Sequence, residues 1–311
     1  MDVYFAIDIG GTQLRAGLYP ANSTTPIAMK KISTRGRESA VDRLISLISE
    51  LWPAEGYTVR GIGADAPGPL DSKTGVIYKA PNIPAWKNLP LRQILEDHFH
   101  VPVILGNDAN LAALGEWRFG AGQGHHDLIY FTISTGIGGG VISSDQLLLG
   151  ARGLAAELGH VTIMDGGPLC GCGQRGHLEA VSSGTGIAKY VNEQLSQGRA
   201  SSLPKDPPVT ARQVSEAATN GDALAVEAMQ RAGHYMGVAI ANYLHIFNPT
   251  IVILGGGVTH SGPIFFDPLH AALKSHVLSS MYLQDLVITR AALGDDAGLM
   301  GSLALIQSHT S

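Results

Sequence analysis

Cysteine is nearly missing from this chain: of 311 residues only Cys170 and Cys172 carry a thiol, and both fall in the stretch LCGCGQRGHLEA (169–180). So few thiols exclude a disulfide framework. Two cysteines separated by one glycine would in any case make a strained bridge, because a disulfide prefers Cα atoms further apart than so short a loop presents comfortably. Charge is also scarce, at 15% of residues with a formal net charge of −5 and no basic block. Nucleic-acid binding through phosphates needs clustered cations, so no nucleic-acid partner is expected. With the first strand at residue 3, no helix-turn-helix module is expected ahead of it. No apolar run reaches the roughly 20 residues that span a bilayer, so no membrane partner is expected. The stretch VYFAI is interrupted at Asp8 and the first basic residue is Arg15, so no secretory signal is expected and the cytoplasm is the default compartment. The dipeptide Gly-Lys does not occur, which excludes a P-loop of the form GxxxxGK[ST]. The glycines of SGTG (183–186) and GGG (255–257) lack the strand-turn-helix context of a dinucleotide fingerprint.

What is present is glycine, 39 residues of it, with 45% hydrophobic residues. That mixture describes an α/β chain with many tight turns, long enough for about two domains of roughly 150 residues each. One pattern occurs twice. FAIDIGGTQLRAGLYP (5–20) is an apolar strand, a Gly10-Gly11-Thr12 turn and a second alternating strand; IYFTISTGIGGGVISSDQLLLG (129–150) repeats it around Thr135–Gly140. Glycine turns let backbone N–H groups approach an anion and form phosphate-binding nests. Either hairpin alone is adequately explained by turns needing φ > 0, whereas two copies predict a duplicated fold with a phosphate cleft between its halves. Periodicity further predicts helices near 39–51, 91–99, 177–197, 210–219, 222–247 and 266–278, a strand near 58–65, and a closing helix over 295–307 with its acidic residues at the N-terminus. GRASSLPKDPP (198–208) reads as a loop.

Cys170, Cys172 and their neighbours His160 and His177 lie within 18 positions. Any one of them alone would be an ordinary core or loop residue; together on a glycine-rich knuckle they form a closed Cys2His2 set suited to zinc. Asp108 in GNDAN (106–110) stands where a strand runs into a helix, and ligands of open α/β sheets gather at such ends. It can be a helix cap or a base that takes the proton of an alcohol attacking a phosphoryl group, with Asn107 holding neighbouring hydroxyls. Spacing alone does not separate the two, and the phosphate turns favour the base. A metal fixing His160 would also fix Glu157 and Glu179, giving a ring of donors and acceptors suited to a polyol. A metal-bound imidazole keeps its other nitrogen as an oriented donor.

DIGGT (8–12), STGIGGGV (134–141), GNDAN, and above all ELGH (157–160) followed by CGCGQRGHLE (170–179) resemble the ROK family of sugar kinases and sugar-responsive repressors, closest to its bacterial glucokinase branch. The similarity covers essentially the whole chain, including APGPLD (66–71), PNIPAW (81–86), ILGGG (253–257) and DDAGLMGSL (295–303). It implies an actin-like, RNase H-type fold of two α/β domains with mixed sheets flanking a cleft, at 1–115 plus 300–311 and at 116–299. It implies an ATP-dependent hexokinase, most simply a glucokinase, with Asp108 as base on the sugar 6-hydroxyl. Gly68, Asn82, Asn107, Asp108, Glu157, His160 and Glu179 would meet the sugar. Asp8 would help place Mg²⁺; Gly10, Gly11, Thr12 and Gln13, and Thr135, Gly136, Ile137 and Gly138, would cradle the phosphates; Gly255, Gly256 and Gly257 would border the adenosine. A homodimer and a structural zinc on His160, Cys170, Cys172 and His177 are implied as well. One departure is His177, in GHLE where the family has a third cysteine; imidazole is a zinc ligand of similar reach, Zn–N being roughly 2.1 Å against roughly 2.3 Å for Zn–S. The alternatives are an N-acetylmannosamine or mannose kinase, against which Glu157 argues because a carboxylate favours a free 2-hydroxyl over an acetamido group, and a sugar-sensing regulator, against which Asp108 argues.

Overall fold

The structure is a computed structural model that describes every residue except Pro81, Pro84 and Ser311, together with the side chain of Thr310. Two prolines of PNIPAW and the last residue of the 300–311 segment therefore lie outside the described residues. In the first half, β1 (Asp2–Ile9) forms a hairpin with β2 (Gln13–Pro20), which pairs with β3 (Ala28–Ser33); α1 (Ala40–Glu50) crosses over to β4 (Thr58–Ala66). A small three-stranded sheet of β5 (Leu70–Asp71), β6 (Val76–Lys79) and β7 (Lys87–Leu89) follows, then α2 (Leu91–Phe99), β8 (Val103–Asn107) and α3 (Asp108–Phe119). The main sheet has the order β3-β2-β1-β4-β8, antiparallel across the two hairpin pairs and parallel at β1-β4-β8.

The second half repeats that plan. β9 (Leu128–Ile133), β10 (Ile137–Ser143) and β11 (Gln146–Leu147) form an antiparallel ribbon; α4 (Leu178–Ser182), α5 (Gly184–Ser196), α6 (Ala211–Thr219) and α7 (Ala223–Phe247) lead to β12 (Ile251–Gly255), and α8 (Pro263–His276) leads to β13 (Val287–Arg290). The order β11-β10-β9-β12-β13 has the same pattern of antiparallel and parallel neighbours. The duplication predicted from the two hairpins is therefore present in strand order. The predicted helix over 177–197 is two helices, because Ser183 takes an extended conformation and its side chain caps the second by accepting from the Gly186 N–H. Helical periodicity passes through that corner unbroken, which is why it was invisible in the sequence.

The two five-stranded sheets bury both faces of their central strands, which explains the near-continuous apolar runs of β1, β9 and β12. Phe5, Ile7 and Ile9 pack against α1, while Tyr4 and Ala6 on the opposite face pack against the last helix, α9 (Ala297–Thr310), through Leu299, Leu303 and Ile306. α9 covers the first sheet, α3 covers the second, and the two helices pack on one another. The domain boundaries 115/116 and 299/300 expected from the resemblance fall inside these helices. Glu116 ties them together. Its fully buried carboxylate accepts the N–H groups of Ala121, Ala292 and Leu293 at 2.9, 3.1 and 2.8 Å, joining α3 to the chain between β13 and α9. Glu116→Ala leaves three amides without that acceptor and should destabilise by about 3 kcal/mol in denaturant unfolding; a change under about 0.5 kcal/mol would show that the carboxylate is not holding the junction.

Candidate active site

Three aspartates stand at the carboxyl ends of the adjacent parallel strands β1, β4 and β8. Asp8 and Asp65 are register partners, and Asp108 begins α3 directly after β8. Asn107 is the helix cap: its side-chain oxygen accepts from the Ala109 and Asn110 N–H groups. That leaves Asp108 in the first turn, where the α3 dipole favours negative charge. Asp108 keeps an exposed edge, but protein crowds around its carboxyl group. Burial there pushes its pKa up to about 6, with the charges of Asp8 and Glu157 adding to the rise while hydrogen bonds from Ala109 and Asn107 oppose it. A carboxylate so poised is ionised at neutral pH yet basic enough to take a proton. Asp8 is paired with Arg15, Nε to Oδ2 at 2.7 Å, and Arg15 also reaches Asp296 at 2.8 Å, linking the strand end to the start of α9.

The first glycine turn follows the end of β1, just past Asp8, and the second lies against the start of α3, a Cβ on Gly138 falling 2.8 Å from that of Ala109. The first is pinned by Thr34, whose N–H donates to Thr12 O and whose hydroxyl donates to Gly10 O, and by the Gly10 N–H to Gln13 O bond. Asn82 packs directly over Gly11, where an added Cβ would lie 2.3 Å from the Asn82 Cβ. In the second turn the Ile137 N–H donates to Glu179 Oε2 at 3.0 Å, and a Cβ on Gly136 would meet that same oxygen at 2.5 Å. Glu179 thus touches the second glycine turn as well as the knuckle, a contact that sequence spacing did not suggest. Beyond Thr135 opens a cavity of about 1040 Å³ with an apolar wall that includes Ile187, Val209, Met229 and Val258. Gly257 lines it; Gly255 and Gly256 shape the strand end behind it, against Tyr130 and the Ile133 carbonyl.

His160, Cys170, Cys172 and His177 come together with their donor atoms within 4.8 Å of one another. Cys170 Sγ is 3.8 Å from His160 Nδ1, and Cys172 Sγ is 3.3 Å from His177 Nδ1. A tetrahedral ion with bonds of about 2.0–2.3 Å requires ligand atoms roughly 3.3–3.8 Å apart; the two Cys–His pairs already stand at that spacing and the whole set lies within 4.8 Å, so two soft sulfurs and two imidazoles suit a four-coordinate metal. Cys170 also lies 3.3 Å from Glu179 Oε1, and burial, with Glu179 adding to it and the Cys172 N–H opposing it, pushes its thiol up to about 12. Without a cation that sulfur keeps its proton, so metal binding there releases one.

Of the site residues read from the sequence, Asp8, Asn107 and Asp108 meet at neighbouring strand ends with Asn82 over Gly11; the Thr135–Gly138 turn is joined to Glu179 and, through Cys170, to His160, and Glu157 is near enough to Asp108 to act on its charge. Gly68 belongs with them, a Cβ there lying 3.0 Å from the Asn107 amide nitrogen. Sequence reasoning missed Asp65 and Arg15. It also missed the cavity wall from α5 and α6, because its residues come from separate segments.

The ROK family pattern matches residues 4–309. A glucokinase from Thermotoga maritima is 36% identical over 97% of this chain and 96% of its own length. Among solved structures, a ROK family glucokinase from Streptomyces griseus in complex with glucose and AMPPNP is 33% identical, with a TM-score of 0.78 over 97% of this chain and 98% of that one. A ROK hexokinase from Thermus thermophilus is 35% identical, with a TM-score of 0.83 over 97% of both chains. The two repeated sheets with their paired hairpin turns are those of the actin-like ATPase fold.

Proposed function

The chain belongs to the ROK family, and from that premise we propose that it is an ATP- and Mg²⁺-dependent glucokinase, transferring a phosphoryl group to the 6-hydroxyl of glucose. The observation that carries this reading is Asp108, a carboxylate raised to about 6 at a strand end, with one glycine turn following β1 and the other against the start of α3. A hexose held by Asn82, Asn107, Glu157 and His160 brings its primary hydroxyl to Asp108, which takes the proton as the oxygen attacks. The turns Gly10–Gln13 and Thr135–Gly138 hold the phosphates through backbone N–H groups other than those of Gly10 and Ile137, which are taken by Gln13 O and Glu179, and the apolar cavity beside Gly257 receives the adenosine. Asp8 would help place Mg²⁺, which neutralises charge on the transferring group when bound. Alcohols are weak nucleophiles and the transition state is loose, so much of the rate comes from alignment and charge stabilisation. Closure of domains 1–115 plus 300–311 and 116–299 around this cleft would exclude water, the competing acceptor.

The Cys2His2 set fits a structural zinc, since four protein ligands leave no open coordination position. With Nδ1 turned to the metal, His160 offers Nε2 to the sugar. A homodimer in the cytoplasm is consistent with the family resemblance. Among the described residues no helix is long and apolar enough to cross a membrane.

The pH dependence tests the assignment of the base. Because the raised pKa keeps Asp108 protonated below about 6, kcat/KM for glucose should fall about tenfold per pH unit below that point and level off above it. A flat profile between pH 5 and 7, with glucose 6-phosphate still formed, would remove Asp108 from the role of base. Absence of glucose 6-phosphate at any pH would remove the glucokinase reading itself.

A further inference from the structure

Asp65 is fully buried at the end of β4, next in register to Asp8. One carboxyl oxygen accepts the Ile9 N–H at 3.1 Å; the other makes no hydrogen bond among the described residues and lies against Gly298 in the first turn of α9. Burial, with Asp8 and Asp108 close by, pushes its pKa well above the usual carboxylate range. A buried acid with an unpaired oxygen costs stability, so packing alone does not account for it. Its one hydrogen bond falls at the joint between β1 and the Gly10–Gln13 turn. Thr34 holds that turn at the Gly10 and Thr12 carbonyls, and Asp65 holds the residue that leads into it. The second turn has the same device: the Ile137 N–H is taken by a carboxylate brought from elsewhere, Glu179.

We propose that Asp65 is a positioning residue for the nucleotide: by accepting the Ile9 N–H it fixes the first phosphate turn in the shape that presents its amides to the phosphates of ATP. The inference rests on that turn being a phosphate site, and it does not depend on which hexose is the acceptor. Asp65→Asn keeps the accepting oxygen, whereas Asp65→Leu removes it in a side chain of similar size and satisfies no other group.

The test is calorimetric binding of MgADP and, separately, of glucose to the parent chain and both variants, with thermal unfolding recorded alongside. Asp65→Leu should weaken MgADP binding about tenfold, the scale of one lost buried hydrogen bond, while glucose affinity stays within about twofold and the melting temperature does not fall. Asp65→Asn should bind MgADP as the parent does. Unchanged MgADP affinity in Asp65→Leu, or equal losses for glucose and MgADP, would overturn the proposal, as would a weakened Asp65→Asn. Should Asp65→Leu not fold because of its contact with Gly298, Asp65→Ala takes its place with the same expected split. A parent chain that binds MgADP but phosphorylates no hexose would sink the glucokinase reading and leave this test intact.

Discussion

Asp108→Asn should lower kcat with glucose by about 10³-fold, within the range a positioned base contributes, while glucose binding stays within about threefold. The variant keeps the shape of the side chain and the Asn107 cap, so the loss isolates the proton acceptor. The raised pKa adds a second readout. Because folding raises the Asp108 pKa from 3.8 to about 6, ionisation costs stability that develops between those pH values and is fully present above about 6, so the asparagine variant should melt no lower than the parent at pH 7. Turnover within tenfold of the parent would mean that no base is needed at this position. A lower melting temperature together with lost glucose binding would mean that Asp108 acts as a structural cap.

Loss of a metal from the proposed His160, Cys170, Cys172 and His177 site should be the second large effect. The knuckle from His160 to His177 has little core of its own: Cys170, His177 and Leu178 are buried, while Gly171, Cys172, Gly173 and Gln174 are exposed. Its shape depends on the four ligands, and His160 and Glu179 lean on it. Cys172→Ala should lose the metal, open the 160–177 segment to protease, and weaken hexose binding by roughly 10–100-fold, the scale on which a shell that orients ligands acts. His177→Cys, which restores a third cysteine, should hold the metal at least as tightly as the parent, whereas His177→Ala should not. Unchanged glucose affinity and turnover in protein verified as metal-free would refute a structural metal here.

The residues that were legible in the sequence share one property: their signal is local. The hairpins at Gly10–Thr12 and Thr135–Gly140 announce themselves by alternation and glycine, the metal set lies within 18 positions, and the start of α3 follows from Asn107 and Asp108 standing at a strand end. What was missed depends on pairing between distant segments. Asp65 reads as one polar residue in an apolar strand until the β1–β4 register sets it beside Asp8. Arg15 reads as a solvated base until it meets Asp8 across the hairpin and Asp296 far along the chain. Glu116 looks like a surface residue of α3, and only the return of the chain before α9 gives its carboxylate three amides. The short strands β5 to β7 hold too few residues for a period of two to appear. Glu179 was legible as a residue of the cleft, but its hold on the Ile137 N–H required the fold.

The most direct test of the glucokinase assignment is ADP release from MgATP across glucose, mannose, N-acetylglucosamine, N-acetylmannosamine, fructose and allose, using metal-analysed protein. Turnover strongest with glucose, giving glucose 6-phosphate, is the predicted result, and it supports the argument from Glu157 at the same time. Preference for an acetamido sugar would contradict the substrate while keeping the chemistry of Asp108. No turnover with any of these hexoses, in protein shown to carry its metal, would contradict the account.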